Sequence, residues 1–229
     1  MRRPLALAVV ASSLLAGACG GGGAGRALDS TSFEAARFVP ELRLGYFPVG
    51  TGLVWTYEGD QNGVPSAEDV RTVATGRAIL GVQCTGIEES YYVDGILSGR
   101  STEWYAQDTN GNVWRFGEEA SSFLGNVEFP SPDSWIASMS AIRPWISFPA
   151  IPRVGERFVG RRPNAIEVYL VSSTDRTVVT SAGTFTGCTE LVENPDNSED
   201  ADIILFAPGV GRVSESSVAS RSRLVGFSR

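Results

Sequence analysis

The residues best suited to chemistry in this chain lie together between positions 103 and 119. The stretch combines acidic with aromatic side chains: Glu103, Asp108, Glu118 and Glu119 beside Trp104, Tyr105 and Trp114. Carboxylates beside aromatic rings occur in glycosidase and sugar-binding sites, where a raised carboxyl pKa permits general acid catalysis. The residues of this stretch are therefore compatible with a secreted polysaccharide hydrolase that uses paired carboxylates.

The same acids also have a purely structural explanation. Asp108 precedes the dipeptide Asn110-Gly111 and is a natural turn former. Glu118 and Glu119 follow the point at which we expect a strand to end. We favour this explanation and expect no catalytic residue, because no His, Lys or activated nucleophile is available to assist. The hydrolase is the alternative.

Composition excludes several classes of enzyme and partner. The 229 residues include no His, and all 19 basic residues are Arg. This excludes a Ser-His-Asp triad, a His-ligated metal, a Schiff-base Lys and a Walker A loop. The net charge of −7 gives no electrostatic basis for binding nucleic acid. The acidic stretch 193–202 could hold calcium weakly, but a solvated loop is the simpler interpretation. We expect no metal and no cofactor.

The first residues have the pattern of an export signal. Two arginines precede an apolar run of 12 residues, positions 4–15, whereas a membrane-spanning helix needs about 20. Small residues then lead directly to Cys19. This resembles a bacterial lipoprotein signal, in which Cys19 is diacylated on sulfur and becomes the mature N-terminus. The alternative is ordinary signal cleavage near Ala18, which leaves Cys19 free.

We therefore predict three parts: a lipoprotein-type signal peptide at 1–18, a flexible Gly-rich tether at 19–29, and a single β-rich domain at 30–229. Positions 20–25 of the tether are glycine apart from Ala24, so this part has almost no side chains that could pack. The protein should be lipid-anchored to a membrane of the cell envelope, with its body in the periplasm or on the cell surface. Because the body is acidic, its membrane contact should be the acyl chains.

The body has the composition of an all-β domain. Gly and Pro interrupt short stretches rich in Val, Ile, Thr and aromatic residues. Asp94-Gly95 and Asn110-Gly111 are dipeptides that favour two-residue hairpin turns. The pattern predicts a single curved antiparallel sheet, a half-barrel or flattened barrel built from meander hairpins, with little helix.

Aromatic residues alternate along the predicted strands. Trp55 and Tyr57 share one face of their strand. A two-residue loop at Asn110-Gly111 would place Tyr105, Trp114 and Phe116 together on one face and Trp104 on the other. A concave face would then offer these candidate ligand-binding residues: Trp55, Tyr57, Tyr105, Trp114 and Phe116. Core packing is the alternative for each of them.

Two cysteines remain in the body, Cys84 and Cys188. A compartment outside the cytoplasm permits disulfides, and two cysteines allow one pairing. The alternative is two separate buried thiols that act as small hydrophobic residues. The spacing leaves both possibilities open, because it does not show whether the two strands are neighbours.

Segments 46–52, 91–95, 103–118 and 207–211 resemble an uncharacterised bacterial family of secreted or lipid-anchored β-rich proteins. Its members carry a "DWYAQD…GNVWYFGE" block and a later "APGVG" motif, and the resemblance spans roughly 46–213. Glu103 stands where Asp is usual, and Arg115 stands where an aromatic residue is usual. The resemblance implies no activity. It implies a fold similar to the curved sheets of lipoprotein-localisation factors.

These features predict a non-enzymatic cell-envelope lipoprotein that binds a ligand or partner on an aromatic β-sheet face, or has a structural role. The membrane is its expected partner, through the N-terminal lipid anchor, and nucleic acid is not. The sequence leaves open whether the ligand is a small molecule, a lipid or a protein.

Overall fold

The computed structural model describes residues 52–72 and 76–228, together with Phe33, residues 37–39, Leu42, Gly45 and Tyr46. The predicted signal, the tether and Cys19 lie outside these residues. No helix in the described part of the chain is long and apolar enough to cross a membrane. Its fifteen strands are β1 Val54–Gln61, β2 Val64–Thr72, β3 Arg77–Ile79, β4 Val82–Val93, β5 Ile96–Gln107, β6 Val113–Leu124, β7 Val127–Pro130, β8 Trp135–Ile136, β9 Trp145–Phe148, β10 Arg157–Arg161, β11 Ile166–Thr180, β12 Gly183–Glu193, β13 Asp202–Ala207, β14 Gly211–Ser216 and β15 Ser220–Ser228.

The strands form one antiparallel sheet. Its order is β10-β11-β12-β13-β14-β15-β1-β2-β4-β5-β6-β7, with β3 paired to β4 and with β8 and β9 paired to β6. Nearly all neighbours along this path are consecutive in sequence, so the sheet is a meander of hairpins. The end strands β10 and β7 do not pair with each other, and the sheet stays open. The predicted all-β class and the single curved sheet are confirmed.

The tight turns supply the backbone geometry that such hairpins need. Asp94 and Gly95 have φ of 51° and 72°, and Val93 pairs with Ile96 across them. Both central residues of a type I′ turn must adopt positive φ, which Asp and Gly do at low cost. The turn predicted at Asp94-Gly95 is confirmed.

The register predicted for the central hairpin is wrong. Gln107 pairs with Val113, so the loop comprises residues 108–112. A bulge follows, at which Tyr105 pairs with Arg115 and Trp104 with Gly117. Side chains alternate between the two faces of a strand, so a one-residue change of register moves them to the other face. Trp114 and Phe116 therefore share a face with Trp104 and not with Tyr105.

Two hydrophobic cores lie on opposite faces of the sheet. The inner core draws side chains from strands along the whole path, among them Tyr57, Tyr105, Val171, Leu191 and Leu224. Strands so far apart can meet in this way only if the sheet curves around them, so this face is concave. The outer core lies on the other face of β4, β5 and β6, and β3, β8 and β9, which pair with β4 and β6, contribute side chains to it.

The curvature brings β10 against β9. An added Cβ on Gly160 of β10 would lie 2.6 Å from the indole of Trp145 on β9. No side chain fits at that distance, so glycine permits the approach. Trp145 also stacks on Trp135, with ring centroids 4.5 Å apart. The two indoles close the side of the outer core where the ends of the sheet approach each other.

The predicted Cys84–Cys188 disulfide is wrong, and the alternative of two separate buried thiols holds. Both cysteines are free and buried. Cys84 on β4 belongs to the outer core, whereas Cys188 on β12 belongs to the inner core. A disulfide requires Cα atoms within about 7 Å and Cβ vectors that point toward each other. Burial also raises the pKa of the Cys84 thiol to about 12, which suits an inert core residue.

Candidate functional site

The concave face of the sheet encloses a cavity with two adjoining compartments. The outer compartment has a volume of about 420 Å³, and the inner compartment has a volume of about 250 Å³. Both are lined by Tyr57, Glu89, Arg212 and Glu215. Gln61 and Ser220, beside the β1–β2 and β14–β15 turns, line the outer compartment, so it lies toward that end of the sheet.

The two compartments differ in character. The wall that β2, β4 and β5 give to the outer compartment combines small residues, including Ser66 and Ser101, with charged and aromatic ones, including Glu68, Tyr91 and Arg100. The inner compartment is lined by aromatic and aliphatic side chains of the inner core, together with charged groups. The arrangement could receive a small molecule whose apolar part points inward.

Three of the five predicted ligand-binding aromatics, Trp55, Tyr57 and Tyr105, line the inner compartment. The Trp55 indole N–H donates to the carbonyl of Val210 at 2.7 Å. The Tyr57 hydroxyl donates to the carbonyl of Arg212 at 2.9 Å. These hydrogen bonds hold the rings in fixed positions along the wall.

The other two predicted aromatics do not face the cavity. Trp114 and Phe116 lie in the outer core, where the rings of Phe33 and Phe38 pack on them. The cause is the register of the central hairpin, in which Arg115 rather than Trp114 or Phe116 lies opposite Tyr105. Trp114 and Phe116 are core residues of the face that also holds Trp104.

Arg212 is the charged centre shared by both compartments. Its guanidinium pairs with Glu68 at 2.6 Å and with Glu215 at 2.5 Å. The guanidinium carbon also lies 4.5 Å from the centre of the Tyr57 ring. These anions raise the pKa of Arg212 well above its usual value against the opposing effect of burial, so the group stays charged.

Arg115 forms a second buried ion-pair network, deeper in the inner compartment. Its guanidinium hydrogen-bonds to Glu103, to Glu118 at 2.9 Å and approaches Glu167 at 3.8 Å. Arg162 joins the same network through Glu118, at 3.3 Å, and through Glu167. Hydrogen bonds from tyrosine hydroxyls further satisfy Glu103 and Glu167.

The acids singled out from the sequence have structural partners. Glu118 does not follow a strand end, because β6 continues to Leu124, and its carboxylate is held between two arginines. Glu119, on the opposite face, accepts hydrogen bonds from the Trp104 indole at 2.9 Å and from Arg77 at 2.8 Å. Neither residue lines the cavity.

Asp108 organises the loop of the central hairpin. It is 5 % exposed. Its Oδ1 accepts hydrogen bonds from the backbone N–H groups of Asn110 and Asn112, and its Oδ2 accepts from the Asn112 amide and the Trp114 indole, each at 2.9 Å. Asp108 belongs to a turn, as predicted, but its carboxylate is a buried hydrogen-bond acceptor and not a surface group.

Sequence reasoning missed two acids that lack such partners. Glu89 lines both compartments, and Glu193 lines the inner one. Within the described part of the chain, neither carboxyl accepts a hydrogen bond or forms an ion pair. Strand alternation from Ile87, which belongs to the inner core, would have placed Glu89 on the same face.

Burial dominates the ionisation of these two acids. Burial first, and then the nearby carboxylates of Glu68 and Glu103, hold the pKa of Glu89 well above its usual value. For Glu193, burial and the neighbours Glu167 and Asp202 raise the pKa to about 8. Both carboxyls therefore hold a proton more readily than an exposed glutamate does.

The acidic stretch 193–202 is only partly the surface loop expected. Glu193 ends β12 and pairs with Asp202 at the start of β13, and Glu193 faces the inner compartment. Between them, Asp196 forms an exposed pair with Arg157 at 2.7 Å. The described residues contain no group of three or more acidic or cysteine side chains arranged to hold a metal ion.

No protein-family model matches this chain, and no curated protein matches it. A solved structure described as a "putative lipoprotein" from Parabacteroides distasonis aligns with a TM-score of 0.43 and 12 % sequence identity. The alignment covers 81 % of this chain and 99 % of that one.

Proposed function

We propose that the protein is a lipid-anchored component of the bacterial cell envelope that binds a small ligand in the cavity, without catalysing a reaction. The observation that carries the proposal is the cavity itself. Ligand sites are typically concave, largely pre-formed and apolar, with a few convergent polar groups. The inner compartment combines aromatic walls with charged groups that fixed ion pairs hold in place.

The proposed anchor rests on the N-terminal sequence and on the resemblance to secreted and lipid-anchored proteins. An export signal, a cysteine after small residues and a glycine tether occur in that order. A diacylated Cys19 would hold the body at a membrane, and the tether would give it freedom to rotate. Membership of the resembled family is part of the same proposal.

We expect mass spectrometry of membrane-extracted protein to find a diacylglyceryl group on Cys19. A Cys19→Ala variant should lose its membrane fractionation. Since the export signal is retained, the variant body should still leave the cytoplasm. Wild-type protein recovered as a soluble species with an unmodified N-terminus would contradict the anchor.

We expect Ser101→Trp to abolish ligand retention, because Ser101 faces Glu89 across the β4–β5 pair and lines the outer compartment. An indole at this position would fill the space over Glu89. The measurement is native mass spectrometry of full-length protein extracted in mild detergent, which should show a co-purifying small molecule on wild-type protein and none on the variant.

Thr102→Trp is the matched control, since Thr102 pairs with Glu88 and Glu119 on the opposite face and lines neither compartment. This variant should retain the molecule. If the two variants carry it equally, or if wild-type protein carries none, the cavity is not the binding site.

The polysaccharide hydrolase has weaker support. Paired acids of glycosidases stand about 5–9.5 Å apart across an open cleft, where substrate and water reach them. Here Glu103 and Glu118 face each other in register but share the guanidinium of Arg115. Glu118 lines neither compartment. Ligand binding does not require two acids that are free to react, and it therefore fits the arrangement better.

A further inference from the structure

The inner compartment contains more negative than positive side chains. Four acids line it, Glu89, Glu103, Glu193 and Glu215, against two arginines, Arg115 and Arg212. Both arginines also pair with acids outside its lining. The chain therefore supplies too few cations for the acids around this space.

Two of these four acids, Glu89 and Glu193, take no part in the ion pairs of the described residues. Glu103 is held by Arg115 and by the Tyr105 hydroxyl, and Glu215 is held by Arg212. Glu89 and Glu193 have no hydrogen bond or ion pair among the described residues. Unpaired carboxyls are costly inside a protein unless they stay neutral or meet a cation. Because the cavity is open to solvent, a ligand from outside the chain can supply that cation.

We infer that the ligand of the cavity is an organic cation, an ammonium or guanidinium compound, whose charged group lies against Glu89 and Glu193 and whose apolar part packs on the aromatic wall. The inference rests on the proposed ligand-binding function and names its ligand class. Aromatic faces attract cations and accept apolar groups alike. Trp55, Tyr57 and Tyr105 provide such faces within the same compartment.

A bare metal ion fits the site less well. Hard cations such as calcium take six to eight oxygen ligands from converging groups. The described residues offer no set of three or more acidic or cysteine side chains placed for this. An organic cation needs only one or two carboxylates and gains from the apolar wall.

Binding should exchange a proton for the ligand. The groups that face Glu89 are Glu68 on β2, Glu103 on β5, and Arg212 with Glu215 on β14. Those that face Glu193 are Glu167 on β11, Asp202 on β13, Glu215 on β14, and Arg162 after β10.

Most of these neighbours are acidic, so they favour the protonated form of each carboxyl. The incoming cation then stabilises the carboxylate, and each carboxyl that ionises releases one proton to solvent. The affinity should therefore rise with pH up to the raised pKa of the carboxyls.

The test uses full-length protein in non-ionic detergent and the probe 2-phenylethylguanidinium, which stays charged throughout the pH range. Isothermal titration calorimetry in two buffers of different ionisation enthalpy measures affinity and proton release together. Between about pH 6 and pH 8 the affinity should rise by about tenfold or more, with release of about one proton. The neutral analogue 2-phenylethanol should bind at least about tenfold more weakly.

Glu89→Gln and Glu193→Gln preserve shape and remove the ionisable group. Each should weaken binding of the cation by about tenfold or more and reduce the proton release. Glu119→Gln, on the opposite face, should leave binding unchanged. Circular dichroism melts establish that the variants are folded. If both Gln variants bind the cation like wild-type protein, or if the neutral analogue binds equally well, the ligand class is wrong.

Failure of this inference is distinguishable from failure of the proposed function. No detectable binding of the guanidinium probe overturns the inference. The co-purifying molecule on wild-type protein, and its loss in Ser101→Trp, report separately on whether the cavity binds any ligand.

Discussion

Asp108→Asn should destabilise the protein by about 2–4 kcal/mol, although it changes only one heavy atom of the side chain. An amide presents an NH₂ group where one carboxylate oxygen accepted two hydrogen bonds. Either the Trp114 indole and the Asn112 amide, or the two backbone N–H groups, then face another donor. Buried donors without acceptors, and lost bonds to a charged group, carry costs of this size. Urea denaturation monitored by tryptophan fluorescence measures the change.

Asp94→Asn is the control. Asp94 also occupies a hairpin turn, at a φ of 51°, but it is exposed. Asn adopts this backbone conformation as readily as Asp. The free energy of unfolding should therefore change by less than about 0.5 kcal/mol. Equal effects at the two positions would show that Asp108 serves merely as a turn former.

Arg115→Met should destabilise the protein by about 3–5 kcal/mol near pH 8. The guanidinium is the shared partner of Glu103 and Glu118, and its removal leaves buried carboxylates without compensation. Methionine retains much of the length of the side chain, so the effect should come from charge rather than from a cavity. Chemical denaturation at several pH values measures it.

The loss should shrink as the pH falls. Burial is already the largest cause that raises the pKa of Glu118, and Arg115 opposes it. Without Arg115 the folded-state pKa rises further above the unfolded value. A carboxyl of this kind favours folding below its unfolded pKa and loses that contribution as the pH rises through the folded pKa. The variant should therefore lose more stability at pH 8 than at pH 5.

Arg157→Met provides the comparison, since Arg157 forms an exposed pair with Asp196. Exposed pairs contribute little, so this variant should lose less than about 1 kcal/mol and show little dependence on pH. A loss for Arg115→Met as small as that for Arg157→Met would mean that the network around Glu103 is solvated and not buried.

Local patterns were sufficient to predict the all-β class and several of the hairpins. Asp94-Gly95 encodes its own turn, because the dipeptide satisfies the required φ values. Asn110-Gly111 carries a similar signal but lies within a loop that Asp108 organises through its side chain. This side-chain cap overrode the dipeptide rule and changed the register of the hairpin by one residue. That single difference decided which aromatic residues reach the cavity.

The charged residues that line the cavity were harder to predict than the aromatic ones. Glu88 and Glu89 are adjacent and chemically identical, yet Glu88 pairs with the exposed Arg71 while Glu89 lines the cavity. Only the strand alternation separates them, and it has to be counted from a residue known to be buried. Arg115, set among Val113, Trp114 and Phe116, was the clearest local signal, because a charge within such a run requires buried partners.

Contacts between unpaired strands were beyond the reach of local pattern. β9 and β10 follow each other in the chain but do not pair as a hairpin, so the approach of Gly160 to Trp145 has no local sequence signal. The two cysteines show the same limit, since their assignment to opposite faces depends on the register of β4 and β12 within the whole sheet.

A crystal structure of the full-length protein, extracted from its native membrane without added ligand, would test the central claim most directly. The account predicts electron density for a bound small molecule within the cavity, against the ring of Tyr57 and near the carboxylates of Glu89 and Glu193. The density should be absent from crystals of Ser101→Trp. A wild-type cavity that contains only ordered water would contradict it.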